Sequence, residues 1–140
     1  MVKISLCIIL FLATSLYTNA QNNGDSIKTV KAVAPKFYPS AAVAVRAKGE
    51  VKIRVEINEK GKVKFAKILS GHKLLQRISE KAASLWEFNP WMKNENERFV
   101  ELSFIYQIVS EDKDEETSFN PPYQIVFAVN PPKIINTPSH

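Results

Sequence analysis

The chain has 140 residues, of which 45% are hydrophobic and 24% are charged, with a formal net charge of +5. This composition excludes a disordered or collagen-like chain and predicts one globular domain with a single core. Basic residues predominate between Lys28 and Ser110, whereas EDKDEE at 111–116 is acidic. The basic surface is interpreted as a solvated face, with a polyanionic or membrane-surface partner as the alternative.

The first twenty residues, MVKISLCIILFLATSLYTNA, have the pattern of a cleaved secretory signal. A lysine precedes an apolar run that ends near Leu12, and Thr18 and Ala20 stand where a signal peptidase prefers small side chains. An uncleaved anchor is the alternative, but the run is shorter than the ~20 residues that a membrane span needs. Cys7, the only cysteine, lies in this segment, so the mature chain is predicted to lack disulfides.

Residues 21–35 are predicted to form a short linker before a domain at residues 36–110. In KFYPSAAVAVRAKG, Pro39 suits the first position of a helix because its missing N–H would have no partner there. Alanine-rich helix formers follow, and Gly49 suits the left-handed conformation that ends a helix. The sequence therefore predicts a short first helix that stops at Gly49.

The segment GEVKIRVEINEKGKVKF predicts a β-hairpin. Apolar and charged residues alternate strictly at positions 51–57, which is typical of a half-buried strand. Residues 58–61 supply turn chemistry ending in Gly61, and the alternation resumes at Val63 and Phe65. It then slips near Ala66, as at a β-bulge. The side chains predicted to point inward from the first strand are Val51, Ile53, Val55 and Ile57.

Beyond Ser70 and Gly71 the apolar period becomes helical, which predicts a second amphipathic helix. His72 stands at its start with no acid, cysteine or second histidine nearby in sequence, so capping is favoured over catalysis. The helix ends in SLWEFNPW at 84–91, before a proline that cannot extend it. The apolar face is predicted to contain Leu74, Leu75, Ile78, Ala82, Leu85 and Trp86.

The aromatic end of this helix is interpreted as a packed corner and not as a ligand site. Trp86 and Phe88 are expected to be buried against the sheet, and Pro90 to turn the chain toward the next strand. Trp91 lies past the corner and is not assigned to the core. FVELSFIYQIV at 99–109 alternates again and predicts a third strand. The order helix, strand, strand, helix, strand predicts an α+β fold, with both helices on one face of a three-stranded antiparallel sheet.

The remainder of the chain is divided into an acidic linker at 111–120 and a tail at 121–140. In NPPYQIVFAVNPP, paired prolines bracket an alternating stretch that predicts one strand at residues 123–130. We predict that this strand packs on the domain and occupies the edge of the third strand as an intramolecular cap. A tail strand that stays loose, or that pairs with another molecule, is the alternative.

Three segments in one register, YPSAAVAVRAKGEVKIRVEINEKGKV, SGHKLL and AASLWEFNP, resemble the TonB C-terminal domain over about residues 36–109. Family members often carry glycine where this chain has Arg46, so the end of the first helix is expected to differ. The motif positions that carry the resemblance are Tyr38, Pro39, Gly49, Gly61, Gly71, His72, Leu75, Trp86, Phe88 and Pro90.

The resemblance implies a periplasmic or secreted protein-binding module. In the family, a short segment of an outer-membrane transporter pairs along the sheet edge, a form of β-augmentation. The corresponding edge would be the third strand, with partner-binding residues Phe99, Glu101, Ser103, Ile105 and Gln107. Two alternatives stay open: an inner-membrane-anchored energy-transducer subunit if the signal is retained, and a self-associating scaffold or homodimer. Only residues 21–36 separate the signal from the domain, whereas a transducer needs a long spacer.

An enzyme is not expected from this sequence. The mature chain has His72 and His140 as its histidines, no cysteine, and no Gly-rich phosphate loop or paired-carboxylate motif. The acidic run at 111–116 is interpreted as solvated. We therefore expect no cofactor, no metal site, no nucleic-acid partner and no small-molecule substrate.

Overall fold

The computed structural model describes residues 27–90 and 98–131. The expected signal at residues 1–20, Trp91 and the tail beyond residue 131 lie outside these ranges. Within them the chain forms two helices and seven strands, and the α+β class is confirmed. In chain order the elements are β1 (Thr29–Lys31), α1 (Ser40–Ala44), β2 (Gly49–Ile57), β3 (Val63–Ser70), α2 (Lys73–Ala83), β4 (Glu87–Phe88), β5 (Arg98–Ile108), β6 (Glu116–Asn120) and β7 (Gln124–Val129).

The main sheet has five strands in the order β3-β2-β5-β7-β6, whereas the sequence predicted three strands and a tail strand at the edge of the third. The hairpin β2–β3 and the pair β2–β5 are antiparallel, as expected. The C-terminal segment then adds β7 parallel to β5, and β6 antiparallel to β7. The segment expected to be an acidic linker, 111–120, thus contains β6, and the sheet is mixed instead of purely antiparallel.

A second, two-stranded sheet forms where the sequence predicted a linker. β1 pairs antiparallel with β4, bringing Thr29 opposite Phe88. The backbone N–H of Asn89 donates to the carbonyl of Lys28 at 2.9 Å, and the Lys28 N–H donates to Asn89 Oδ1 at 2.6 Å. This N-terminal segment is therefore tied to the chain just after α2, and Pro90 follows the pairing as an exposed residue.

The core lies between α2 and the inner face of the main sheet. Strand β2 contributes its odd-numbered apolar residues, as its alternation predicts, and α2 contributes Leu75, Ile78 and Ala82. Trp86 and Phe88 are 1% and 2% exposed, and the indole N–H of Trp86 donates to the Val33 carbonyl at 2.8 Å. The aromatic corner is thus buried, and it also joins α2 to the segment before α1.

The end of α1 differs from the sequence prediction. The helix stops at Ala44, with Pro39 as its N-cap residue, and Gly49 already belongs to β2. Arg46 has a φ of 53°. The N–H of Arg46 donates to the Val43 carbonyl, and the N–H of Ala47 donates to the Ala42 carbonyl at 2.8 Å. These two bonds form a Schellman motif, so Arg46 and not Gly49 is the left-handed residue that ends the helix.

Three large apolar side chains do not lie where the alternation and the helical period place them. Leu74 and Leu85, predicted on the buried face of α2, are 42% and 53% exposed. Phe65 is 60% exposed because the β2–β3 register shifts at Lys64, which turns Phe65 to the outer face beside Glu56. Because Leu74 and Leu85 are exposed, the buried face of α2 is narrower than the apolar face that its sequence predicts.

Candidate strand-binding edge

Strand β5 presents the predicted partner-binding residues on one face of the sheet. Its even-numbered residues from Val100 to Tyr106 are buried in the core. The odd-numbered residues lie on the outer face, where Phe99 is 50% exposed. These outer-face residues are Phe99, Glu101, Ser103, Ile105 and Gln107, the five that the sequence analysis assigned to the edge.

The outer-face polar side chains of β5 contact the neighbouring strand β2. Glu101 accepts a hydrogen bond from Arg54 at 2.6 Å in an exposed ion pair, and the Ser103 hydroxyl donates to Glu50 at 2.6 Å. Exposed pairs of this kind typically contribute less than ~1 kcal/mol each. The side chains of Glu101 and Ser103 are therefore held by cross-strand contacts with β2.

The backbone edge of β5 is occupied by the chain's own C-terminal strand. β7 pairs with β5 in parallel from Ser103 to Ile108, and the N–H of Ser103 donates to the Tyr123 carbonyl at 3.0 Å. The N–H of Val109 donates to the Val129 carbonyl at 2.8 Å. Since backbone groups alternate along a strand, the amides of Ile105 and Gln107 also point toward β7. The strand to which partner binding was assigned is therefore an interior strand over this length, with the predicted tail strand along its edge.

The inward side chains of β7 fill positions between aromatic residues of the domain. Ile125 is 3% exposed and lies opposite Phe104. The ring of Phe127 lies with its centroid 6.0 Å from that of Tyr38 and 6.0 Å from that of Tyr106. The predicted strand at 123–130 packs on the domain as expected, but in parallel orientation and with aromatic contacts that its alternation alone did not specify.

Strand β6 covers β7 and is the outermost strand on this side of the sheet. Phe119 contacts the buried indole of Trp86 edge-on, with ring centroids 5.8 Å apart. Before the turn into β7, the Asn120 amide donates to Gln124 Oε1 at 3.0 Å. The sequence does not predict β6, because ETSFN is short and mostly polar; the aromatic residue in it is the one available signal.

The N-terminal segment also holds the tail. The hydroxyl of Thr29 donates to the Pro122 carbonyl at 2.7 Å, and the Tyr123 hydroxyl donates to the Ile27 carbonyl at 2.5 Å. Burial raises the pKa of Tyr123, which keeps this donor protonated. The β6–β7 hairpin is thus attached at its turn as well as along β5.

The hydroxyls of Tyr106 and Tyr38, in and beside β5, act as hydrogen-bond donors. Tyr106 is 1% exposed, and its hydroxyl lies 2.6 Å from Ser79 Oγ, which itself donates to the Leu75 carbonyl at 2.7 Å. Burial raises the pKa of Tyr106 to about 12, more than the hydrogen bond to Ser79 lowers it. Burial also raises the pKa of Tyr38, whose hydroxyl donates to the Ala47 carbonyl.

Two further motif residues, His72 and Gly61, lie at a helix cap and at a turn. His72 is the N-cap of α2, where its Nδ1 accepts from the Leu74 N–H at 3.2 Å. Gly61 has a φ of 81°, and a Cβ there would lie 1.9 Å from the Phe88 carbonyl oxygen. Within residues 27–90 and 98–131, no three His, Cys, Asp or Glu side chains form a group that could hold a metal ion.

Comparison with known proteins identifies the family. The family described as Gram-negative bacterial TonB protein C-terminal matches residues 34–108. The solution NMR structure of the Pseudomonas aeruginosa TonB C-terminal domain is 24% identical, with a TM-score of 0.45, over 59% of this chain and 87% of that one. No curated protein matches this sequence. Among the described residues, no helix has the length and apolarity to cross a membrane. With more than half of its length matched, the chain belongs to the TonB C-terminal domain family.

Proposed function

We propose that this protein is a binding module that takes up an extended segment of a protein partner along β5, and that its own strand β7 occupies this edge when no partner is bound. Membership of the TonB C-terminal family supports a protein-binding role and a periplasmic location, with outer-membrane transporters as the class of partner. The mode of engagement is β-augmentation, in which unpaired backbone groups supply most of the affinity.

The observation that carries the proposal is the parallel register between Ser103–Ile108 and Gln124–Val129. A strand that already accepts an extended segment through backbone hydrogen bonds can accept another of similar shape, because those bonds depend little on side-chain identity. The inward positions of β7 then describe a suitable partner segment. It would place an aliphatic residue opposite Phe104, as Ile125 does, and a large apolar residue between the rings of Tyr38 and Tyr106, as Phe127 does.

A disulfide lock tests the proposal in the full chain. Ile105 and Val126 are directly opposed on the outer face, so cysteines there can join β5 to β7. The variant Ile105→Cys, Val126→Cys, with Cys7→Ser, is compared in its oxidised and reduced forms. The probe is a fluorescent peptide with the sequence of residues 122–131, and its anisotropy reports binding. Because the peptide competes with β7 of the same chain, we expect the reduced form to bind it at protein concentrations of ~1 mM and the oxidised form to bind at least ~10-fold more weakly.

Deletion of residues 117–140 is the complementary test. Without β6 and β7 the edge of β5 is open, so the peptide should bind more tightly than to the parent chain, or the truncated protein should self-associate. Near-UV circular dichroism checks that it is folded. A folded truncated protein with unchanged binding and oligomeric state, together with equal binding by the two redox forms of the locked variant, would rule out strand addition at β5.

A self-associating scaffold is the second candidate function. Residues 109–123 connect β5 to β7 outside any helix, so β7 of one copy could pair with β5 of another by domain swapping. Light scattering of the full chain over a range of concentrations tests this candidate. A dimer whose two copies become linked by the disulfide on oxidation would favour the scaffold, and a monomer at all concentrations would exclude it.

Export with signal cleavage, and the anchored transducer as its alternative, are decided by a mass measurement. We propose a cleaved, periplasmic or secreted protein because the apolar run in residues 1–20 is short. The intact mass of the exported protein should correspond to a chain that begins at Gln21. A mass that retains Met1, in a membrane fraction, would instead support the anchored form.

A further inference from the structure

Helix α2 leaves part of its apolar face uncovered. Leu75, Ile78 and Ala82 are buried, but Leu74 is 42% exposed and Leu85 is 53% exposed. On the segment before α1, Phe37 is 58% exposed. Single exposed apolar residues need no explanation, but several that line one concavity are typical of a binding surface.

These side chains line one groove between α2 and residues 33–39. One depression of this groove has a volume of about 350 Å³, with Val33, Ala34 and Ala82 among its lining and with Phe37 and Leu85 exposed beside them. A second depression of about 330 Å³ continues it past Leu74, and the two share Phe37, Ile78 and Lys81. The groove therefore offers apolar space for at least two inserted side chains.

The rim of the groove is basic. Arg77 and Lys81 line the groove from α2, and Lys36 lines it from the segment before α1. Lys73 does not line it but lies four residues before Arg77, on the same side of α2. No acidic side chain of the described ranges lines either depression. None of these four cations forms an ion pair within residues 27–90 and 98–131, whereas five pairs form elsewhere there. An apolar floor with uncompensated positive charge is complementary to an acidic, amphipathic ligand.

We propose that this groove, defined by α2 and residues 33–39, is a second protein-binding site that takes an acidic segment with apolar anchor residues. The groove is concave, which suits inserted side chains as in helix-in-groove recognition, whereas binding to a lipid surface favours protruding apolar residues. It shares no lining residue with β5 or β7. The protein would thus hold one partner segment along a strand and another along a helix.

The probe is a synthetic peptide of about 15 residues, with Leu and Phe at every third or fourth position and Glu elsewhere. Binding to the full chain is followed by calorimetry and by changes in amide chemical shifts. The matched control peptide carries Lys in place of every Glu. We expect the acidic peptide to bind and to shift residues of α2, its affinity to fall as salt is added, and the basic peptide not to bind.

Variants of the chain locate the site. Leu85→Asp, Lys81→Glu and Lys36→Glu should each weaken binding about tenfold or more. Lys36 lies outside both helices, so its reversal tests charge without altering the end of α2. Lys67→Glu, on the opposite face of the sheet, is the control and should leave the affinity unchanged. Denaturant midpoints confirm that each variant is folded.

Several results would overturn the proposal. They are the absence of binding by the acidic peptide, equal binding by the two peptides, and loss of affinity in Lys67→Glu equal to that in Lys81→Glu. Binding to vesicles that contain phosphatidylglycerol, without binding to the acidic peptide, would assign the groove to a membrane surface instead. Because the oxidised β5–β7 lock leaves this groove untouched, peptide binding to the locked form keeps the two proposed sites distinguishable.

Discussion

Arg46 holds a backbone conformation that favours glycine. Its φ of 53° lies in the left-handed region, where a Cβ approaches the following carbonyl at a cost of roughly 1–2 kcal/mol. The resemblance to the family suggested that arginine here would change the end of the first helix. The structure instead keeps the left-handed turn that a glycine would form, with both Schellman hydrogen bonds in place.

We therefore predict that Arg46→Gly stabilises the protein by about 1 kcal/mol, because glycine adopts this φ without the steric cost. Chemical denaturation of the parent and the variant measures the difference. Arg46→Ala is the matched control: it removes the same charge but keeps a Cβ, so its midpoint should stay near that of the parent. A stabilisation by alanine equal to that by glycine would attribute the effect to charge.

The Trp86 side chain contacts three separate segments of the molecule. It is 1% exposed, it stacks near Phe88, it contacts Phe119 of β6, and its indole N–H donates to Val33. Trp86→Ala should lower the free energy of unfolding by about 3–5 kcal/mol. Trp86→Phe keeps most of the packing and should lose about 1–2 kcal/mol through the orphaned Val33 carbonyl. Denaturant melts measure both.

The control for this prediction is Lys52→Ala on the outer face of β2. Lys52 has only a 4.0 Å contact with Glu50 and is about half exposed, so its removal should change the free energy of unfolding by less than ~0.5 kcal/mol. An unchanged midpoint in Trp86→Ala would show that the aromatic corner does not stabilise the fold.

At the scale of elements, substitutions at Ser103 and Gln107 of β5 test the backbone pairing between β5 and β7. The Ser103 N–H donates to Tyr123. We predict that Ser103→Pro loosens β7. Proline has no backbone N–H, so the hydrogen bond to the Tyr123 carbonyl is lost and no other donor takes its place. Hydrogen exchange of the amides in Gln124–Val129 should become faster. Gln107→Pro, whose N–H also points toward β7, should have the same effect.

Ser103→Ala is the control for these prolines. It removes the side-chain hydrogen bond to Glu50 but keeps the backbone donor, so the exchange of β7 should stay close to that of the parent. Faster exchange in alanine and proline variants alike would mean that the outer-face side chain, and not the backbone, holds β7 in place.

The sequence predicts those elements that are long enough to show a repeating apolar pattern. Strand β2 has four inward positions in strict alternation, and α2 has five buried residues at helical spacing, so each period is visible. Strands β1 and β4 have three and two residues, which show no period. The outward turn of Phe65 was missed because the register shift at Lys64 depends on pairing with β2. The exposure of Leu74 and Leu85 was missed because a helical period does not indicate how much of the helix the sheet covers.

The candidate site was predicted in part. Alternation in β5 placed Phe99, Ser103 and Gln107 on one face, and the tail strand was expected on the same edge. Its parallel direction could not be derived, because it depends on β6 forming a hairpin with β7 inside a segment that looked like a solvated linker. The contact of Phe127 with two tyrosines likewise joins residues that are distant in sequence.

At the scale of the whole molecule, one core includes both the family domain and the C-terminal strand. Ile125 of β7 belongs to the same buried cluster as the apolar residues of β2 and α2, and Phe127 packs against it. Strands β6 and β7, which follow residue 108 where the family match ends, are therefore part of the folded unit and not an appendage. Small domains of this size usually unfold in a single transition, so the hairpin contributes to the stability of the whole.

Buried tyrosines predict a loss of stability at alkaline pH. The pKa of Tyr106 rises to about 12 in the folded state, whereas an unfolded tyrosine ionises near pH 10. The folded state thus binds the proton more tightly, so this contribution is complete below about pH 10 and is lost as the pH rises toward about 12. Denaturant unfolding between pH 9 and pH 12 should show a falling free energy of unfolding.

In Tyr106→Phe this dependence should be shallower, because phenylalanine does not titrate. Some slope should remain, since burial also raises the pKa of Tyr38 and Tyr123. A slope in the variant identical to that of the parent would mean that Tyr106 does not cause the alkaline loss.

The covalent connection between β5 and β7 affects how well a free partner segment competes with β7 for the edge of β5. Because residues 109–123 join the two strands in one chain, β7 meets its edge at an effective concentration on the order of 1 mM. For two segments of equal intrinsic affinity, a free partner at about 1 µM would occupy the edge roughly a thousandfold less often than β7 does. To compete equally, the partner segment would need about 4 kcal/mol of additional binding energy, or it would have to be confined beside the domain. A segment that projects from a protein already held near this chain meets the second condition, so the tail would select partners by proximity as much as by sequence.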